Sequence, residues 1–182
     1  MAVYAKIHIV ALLLTVIVGC SSHYPNKNLT HQKFPQAAGN NLEKERISIP
    51  DYFSGSTTIL LLGYKQDSQF DIDRWLIGLD MTEVTTPVYE LATIQGLIPR
   101  MFSTMIDNGM RRGIPKHLWK GVITIYQDGK DIQVFTGNQY PNNARVVLLD
   151  MSGNIQFFYD QGFSVDALNQ LRDTIAHINI NK

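Results

Sequence analysis

Cysteine is almost missing from this chain: its 182 residues hold one, Cys20. No intrachain disulfide can form, and a cysteine-rich zinc site is excluded. Net charge is missing too, with 16 Lys and Arg against 16 Asp and Glu. That balance argues against a strongly basic nucleic-acid binder, because nothing in it would hold a polyphosphate. The five histidines are scattered, and no two stand at i, i+4, so no helical metal pair is expected. Nucleophile-elbow, phosphate-loop and dinucleotide fingerprints are all absent. What remains is an ordinary globular composition, 45 % hydrophobic, and a length that suits one domain with an appendage.

The appendage is at the start. After Lys6, the run Ile7–Val18 is apolar except for His8 and Thr15. It is shorter than the roughly 20 residues of a bilayer span and suits a signal-peptide core. The run ends in Ile17-Val18-Gly19-Cys20, followed by Ser21-Ser22. This resembles a bacterial lipobox, in which a small residue precedes the cut and the thiol after it receives a diacylglycerol. The resemblance implies a signal peptide over residues 1–19 and lipid attachment, including palmitate-type acyl chains, at Cys20. It implies a membrane-anchored protein of the bacterial cell envelope. Ser21 after the cysteine resembles sorting to the outer membrane, facing the periplasm. Removal of Lys6 takes the 16 basic side chains to 15 against 16 acidic ones, so the mature chain stays near neutral.

Residues 21–46 are rich in Ser, Asn, Pro and Gly, and their large apolar residues are only Tyr24, Leu29, Phe34 and Leu42. This composition predicts a flexible tether. Residues 47–56 are expected to lie against the domain as a lead-in, so that 20–56 form the lipid-anchored tether and lead-in and 57–182 the domain. Within the domain, Thr57–Leu62 reads as a strand buried on both faces. A helix with Asp67 as its N-cap and Asp71 in an early turn follows, through Trp75 and Leu79. Thr85–Leu91 reads as a strand and Leu97–Met110 as a helix, with Met101, Met105 and Met110 expected in the core. Val122–Tyr126 reads as a strand. Asp128-Gly129 opens either a hairpin or a loop with a short helix, and residues 128–144 stay open between the two. Arg145–Asp150 and Asn154–Tyr159 read as paired strands, and Ser164 caps a final amphipathic helix.

This order, with the closing stretch VVLLDMSGNIQFFYDQGFSVDALNQL, resembles thioredoxin-like and peroxiredoxin-like (AhpC/TSA-type) domains. A strand there ends in Asp, a Gly turn follows, and a second strand leads through Gly to the last helix; here these are Asp150, Gly153 and Gly162. IDNGMRRGIP (Ile106 to Pro115) and Trp75 resemble the thioredoxin-like family of the mitochondrial ATP synthase assembly factor and its bacterial relatives. The implied fold is α/β and thioredoxin-like, a central mixed sheet of four to five strands flanked by helices. In redox-active members a cysteine opens the first helix. Here Asp67-Ser68-Gln69-Phe70 stand there, and the proline ahead of the later strand is replaced by Arg145. Thiol–disulfide exchange and cysteine-based peroxide reduction are therefore excluded by composition, and the fold is expected without its usual chemistry.

The expected function is thus non-enzymatic: binding an envelope protein partner or assisting its assembly, with no cofactor, metal or nucleic acid. The expected surface joins Tyr64, Lys65 and Asp67, after the first strand, to Arg111, Arg112 and Lys116 of a stretch that has no acid between Asp107 and Asp128. The alternative is a small-ligand binder or non-thiol enzyme in which Asp67 meets Arg111 or Arg112. A third reading, a domain that only stabilises a larger complex, expects a broad exposed apolar patch.

Overall fold

Four consecutive residues, Ile59 to Leu62, are wholly excluded from solvent, which requires packing on both faces of one strand. The computed structural model, which describes residues 23–180, shows that packing. Its elements are β1 (Ala37–Asn41), β2 (Arg46–Ile49), β3 (Thr58–Gly63), α1 (Gln69–Met81), β4 (Val88–Thr93), α2 (Leu97–Met101), α3 (Ser103–Gly113), β5 (Val122–Ile125), α4 (Gly129–Thr136), β6 (Arg145–Leu149), β7 (Ile155–Tyr159) and α5 (Val165–Ile180).

One sheet runs in the order β2-β1-β5-β4-β3-β6-β7. β3, β4 and β5 are parallel; the remaining pairs are antiparallel. The sheet is mixed, as expected, but has seven strands rather than four to five. The two additional strands are β1 and β2, a hairpin beside β5.

That hairpin corrects the expectation of a tether. Leu29, Phe34, Leu42, Ile47 and Ile49 are all buried. The segment ahead of β1 also pairs with the start of β7, where the His31 N–H donates to the Ile155 carbonyl at 2.7 Å and the Phe34 N–H to that of Gly153 at 3.0 Å. The large apolar residues are few but each finds a pocket. The AAGNN strand forms because Gly39 has no Cβ: one built there would lie 2.6 Å from the Thr124 carbonyl oxygen of β5. Close approach of a neighbouring backbone, rather than strand propensity, selects that sequence. The signal peptide and Cys20 lie outside the described residues.

Two cores cover the sheet. Leu60, Leu62, Leu91, Ile123, Ile125, Val147 and Leu149 face one side, under Leu29, Phe34 and Ile132 of α4. Ile59, Leu61, Val146 and Leu148 face the other, under Ile72, Trp75 and Leu79 of α1 and Leu168, Leu171 and Ile175 of α5. The open choice at residues 128–144 resolves as helix. The Asp128 carboxylate accepts the Ala38 N–H at 2.8 Å, which ties α4 to β1 instead of turning a hairpin. Asp67 is not the N-cap of α1. Ser68 holds that position, and its hydroxyl donates to the Lys65 carbonyl at 2.6 Å. Ser164 does cap α5, with its hydroxyl oxygen accepting the Ala167 N–H at 3.4 Å. The single helix expected over Leu97–Met110 is broken at Phe102, and neither α2 nor α3 contains a buried residue.

Candidate functional site

Side chains alternate along β4. Leu91 joins the first core, while Val88 packs toward the second, so Glu90 and Ala92 share Val88's face. On that face α1 and α5 cover β3 and β6. Over β4 and β5 no α-helix among the described residues closes down, and a cleft of about 1250 Å³ opens there. Ile72 and Leu76 of α1 form one wall, Ile106 and Met110 of α3 the other, and Val88, Ala92 and Val122 the floor, with Ile114 and Leu118 at one end. The opposite end lies at the carboxyl edge of β3 and β4, among Tyr64, Lys65, Ser68, Gln95, Gln133, Asn138 and His23.

Gly63 makes the approach of α1 to this edge possible. A Cβ there would meet the Ser68 hydroxyl at 2.6 Å and Ile72 Cδ1 at 3.1 Å. Polar ties hold α3 off the sheet. The Tyr126 hydroxyl donates to Asp107 Oδ1 at 2.8 Å, and Arg111 Nε donates to the Leu42 carbonyl at 2.7 Å. Burial and the neighbouring Asp107 carboxylate both raise the Tyr126 pKa well above the ordinary tyrosine value.

Two acids, Glu90 on the floor and Asp73 on the α1 side, interrupt the apolar cleft. Burial raises the Glu90 carboxyl above its ordinary value; a bond from Gln69 offsets part of that rise, and nearby Asp73 adds a smaller one. Gln69 Nε2 donates to Asp73 Oδ1 at 2.9 Å and reaches Glu90 Oε2 at 3.5 Å. At the carboxyl edge, the Tyr64 hydroxyl bonds to that of Thr136, and burial pushes its pKa up to about 12. The guanidinium of the fully buried Arg145 sits 4.5 Å from the Tyr64 ring centroid, a cation–π contact. Its NH1 donates to the Tyr140 and Asn143 carbonyls at 2.7 and 2.8 Å. Tyr64 is therefore a fixed wall of the cleft, its hydroxyl protonated at neutral pH.

The residues expected at one surface divide among several. Tyr64 and Lys65 border the cleft. Arg111 and Lys116 border a separate recess of about 460 Å³ beside Leu42 and Trp119. Asp67 and Arg112 are exposed and border neither. Arg111 turns toward the β1–β2 turn, not toward Asp67. The methionines expected in the core are not there: Met101 and Met105 are 72 % and 64 % exposed, and Met110 lines the cleft. Sequence reasoning passed over Glu90, whose place in a strand between Tyr89 and Leu91 was its only signal. Among the described residues, no group of three or more His, Cys, Asp and Glu is placed to hold a metal, and no helix is long and apolar enough to cross a membrane.

No family model and no curated protein matches the sequence. Solved structures do match the fold. The thiol peroxidase of Chromobacterium violaceum aligns over 83 % of this chain and 90 % of its own, with a TM-score of 0.52 and 11 % identity. The exposed lipoprotein thioredoxin of Streptococcus pneumoniae aligns over 75 % and 97 %, with a TM-score of 0.51 and 10 % identity. BsSco, of the Sco family of cytochrome c oxidase assembly proteins, aligns over 82 % and 96 %, with a TM-score of 0.55 and 9 % identity. The fold is thioredoxin-like. In a thioredoxin-like fold β4-β3-β6-β7 form the shared centre, and the cleft lies beside it over β4 and β5. Tyr64-Lys65-Gln66-Asp67-Ser68 occupy the turn from β3 into α1, and the sequence holds no cysteine after Cys20.

Proposed function

We propose that this chain is a lipid-anchored protein of a bacterial envelope whose thioredoxin-like domain works by binding, without thiol chemistry of its own. Its ligand is an apolar segment of an envelope protein partner, held between α1 and α3 during that partner's assembly. The cleft carries this reading: an apolar trough beside the shared centre of the fold, bounded by one wall with no buried residue. Such a wall adjusts to a peptide at little cost in packing. The lipobox and the lone Cys20 support the anchor, and the turn Tyr64–Ser68, which carries no thiol, supports the absence of redox chemistry. A likeness to a lipoprotein thioredoxin fits the anchor, and one to a Sco-family assembly protein fits the role in assembly.

A photo-crosslinking residue in place of Met110, and separately of Leu76, tests the reading in living cells. One discrete protein adduct from both walls is expected. The same residue in place of Arg112, outside the cleft, is expected to give none. Absence of adducts from both walls, in a protein that still sediments with membranes, overturns the reading. Cys20→Ser is expected to release the protein from the membrane fraction.

A further inference from the structure

Leu97, Ile98, Met101, Phe102 and Met105 lie within nine residues on α2 and α3, and each is between 51 and 72 % exposed. Apolar side chains at that density on a free surface mark a contact site. We propose that this patch docks on the anionic phospholipid surface to which the chain is anchored. The inference rests on the lipid anchor proposed for Cys20.

Reach is the first argument. The Tyr24 N–H donates to Asn138 Oδ1 at 2.7 Å, and the Tyr24 carbonyl accepts the Asn138 N–H at 3.0 Å. The Gln139 N–H donates to Asn26 Oδ1 at 3.0 Å. The chain is thus fastened to the domain from Tyr24 onward. Three residues separate Tyr24 from Cys20, and the four steps between them, at about 3.3–3.6 Å each, span at most about 14 Å. The headgroup layer is itself roughly 5–8 Å deep on each side of the bilayer. A lipidated Cys20 therefore draws the domain onto the headgroups. His23, three residues from Cys20, and Pro99 of α2 border the same cleft.

Charge is the second argument. From Leu91 to Gln127 the chain has one acid, Asp107, against Arg100, Arg111, Arg112, Lys116 and Lys120. Asp107 accepts the Tyr126 hydroxyl. An apolar helical surface with basic neighbours suits an anionic interface.

The test uses the full lipidated chain in vesicles of phosphatidylethanolamine and phosphatidylglycerol. With Cys20 acylated, Met101→Cys carries the sole free thiol and takes a nitrobenzoxadiazole dye; Asp173→Cys on α5 is the comparison. Dye at 101 is expected to shift to the blue, and aqueous dithionite to bleach it several-fold more slowly than dye at 173. Equal bleaching at both positions, on protein that floats with the vesicles, overturns the docking and leaves the anchor standing. Protection at 101 that grows with the protein-to-lipid ratio means self-association and also overturns it. Protein that fails to float removes the anchor and, with it, this inference.

Discussion

Asp71 offers a sharp test of how the carboxyl edge of the sheet is held. It is the third residue of α1 and is buried. Its Oδ2 accepts the Ala144 N–H at 2.8 Å and its Oδ1 the Phe163 N–H at 2.7 Å. One side chain thus ties α1 to the segments before β6 and after β7. A hydrogen bond to a charged group contributes about 1.5–3 kcal/mol, and a buried donor left without a partner costs at least as much as the bond returned. Asp71→Ala is therefore expected to cost about 3–5 kcal/mol, a large share of the 5–15 kcal/mol typical of a domain. That corresponds to a fall in Tm on the order of 10 °C. Asp71→Asn keeps one acceptor but sets an amide N–H₂ against a backbone donor, so it is expected to lose about 2 kcal/mol or more. Urea titration followed by tryptophan fluorescence measures both, since Trp75 is wholly buried. The slope against urea is expected to stay unchanged. An acid in the first turn of an exposed helix contributes only about 0.3–1 kcal/mol through the helix dipole. A loss below about 1 kcal/mol in Asp71→Ala would therefore refute the buried tie and leave the dipole as the whole effect.

Other outcomes follow from the same geometry. At the β6–β7 turn, burial works against the Asp150 charge, but bonds from the Asn154 backbone and side chain, the Ser152 N–H and Gln156 hold its carboxyl below the ordinary value. The native state therefore binds this proton less tightly than the unfolded chain does. The stabilisation is present above the unfolded pKa near 4 and is lost as pH falls through the lowered native value; Asp150→Asn is expected to flatten that acid limb in a pH series of urea midpoints. Glu90 runs the other way. Its raised carboxyl costs stability as pH rises from about 4.3 through the native value, so Glu90→Gln is expected to be the more stable protein at pH 7 and to match the parent near pH 4. Gly63→Ala drives a Cβ against the Ser68 hydroxyl and is expected to cost about 1–3 kcal/mol; adding Ser68→Ala should recover part of that loss, and simple additivity in the cycle would contradict the clash.

The central elements were legible because each carries a local signal. TTILLL announces a fully buried strand, and Val165, Leu168, Leu171 and Ile175 announce a helix with one apolar face. The first strand pair was not legible. Ala37–Asn41 has the composition of a turn, and it is a strand because β2 pairs with it on one side and Thr124 and Ile123 of β5 accept its backbone on the other. The lead from Leu29 to Phe34 hid its burial for a similar reason: two apolar residues among polar ones have no period to read. At the site, Tyr64 and Lys65 were found because the end of a buried strand in this fold points to an edge. The separation of Arg111 from Asp67 was not readable, since it depends on one bond to the Leu42 carbonyl 69 residues away. Exposure of Met101 and Met105 was equally hidden. Helical spacing shows which side chains share a face, and says nothing of whether that face is covered.

The pairing of β1 with β5, and of residues 31–34 with the start of β7, also sets an order of events in time. Residues 31–41 wait for partners some 80 to 120 residues later in the chain. β3 likewise waits for β6. Contacts so distant in sequence close late and slowly, because loop closure must precede their gain. β1 meets β2 locally, but its pairing with β5, and that of residues 31–34 with β7, stays open until those later strands have been synthesised. A polypeptide threaded outward amino end first would keep those edges open through the passage and complete its sheet only on the far side.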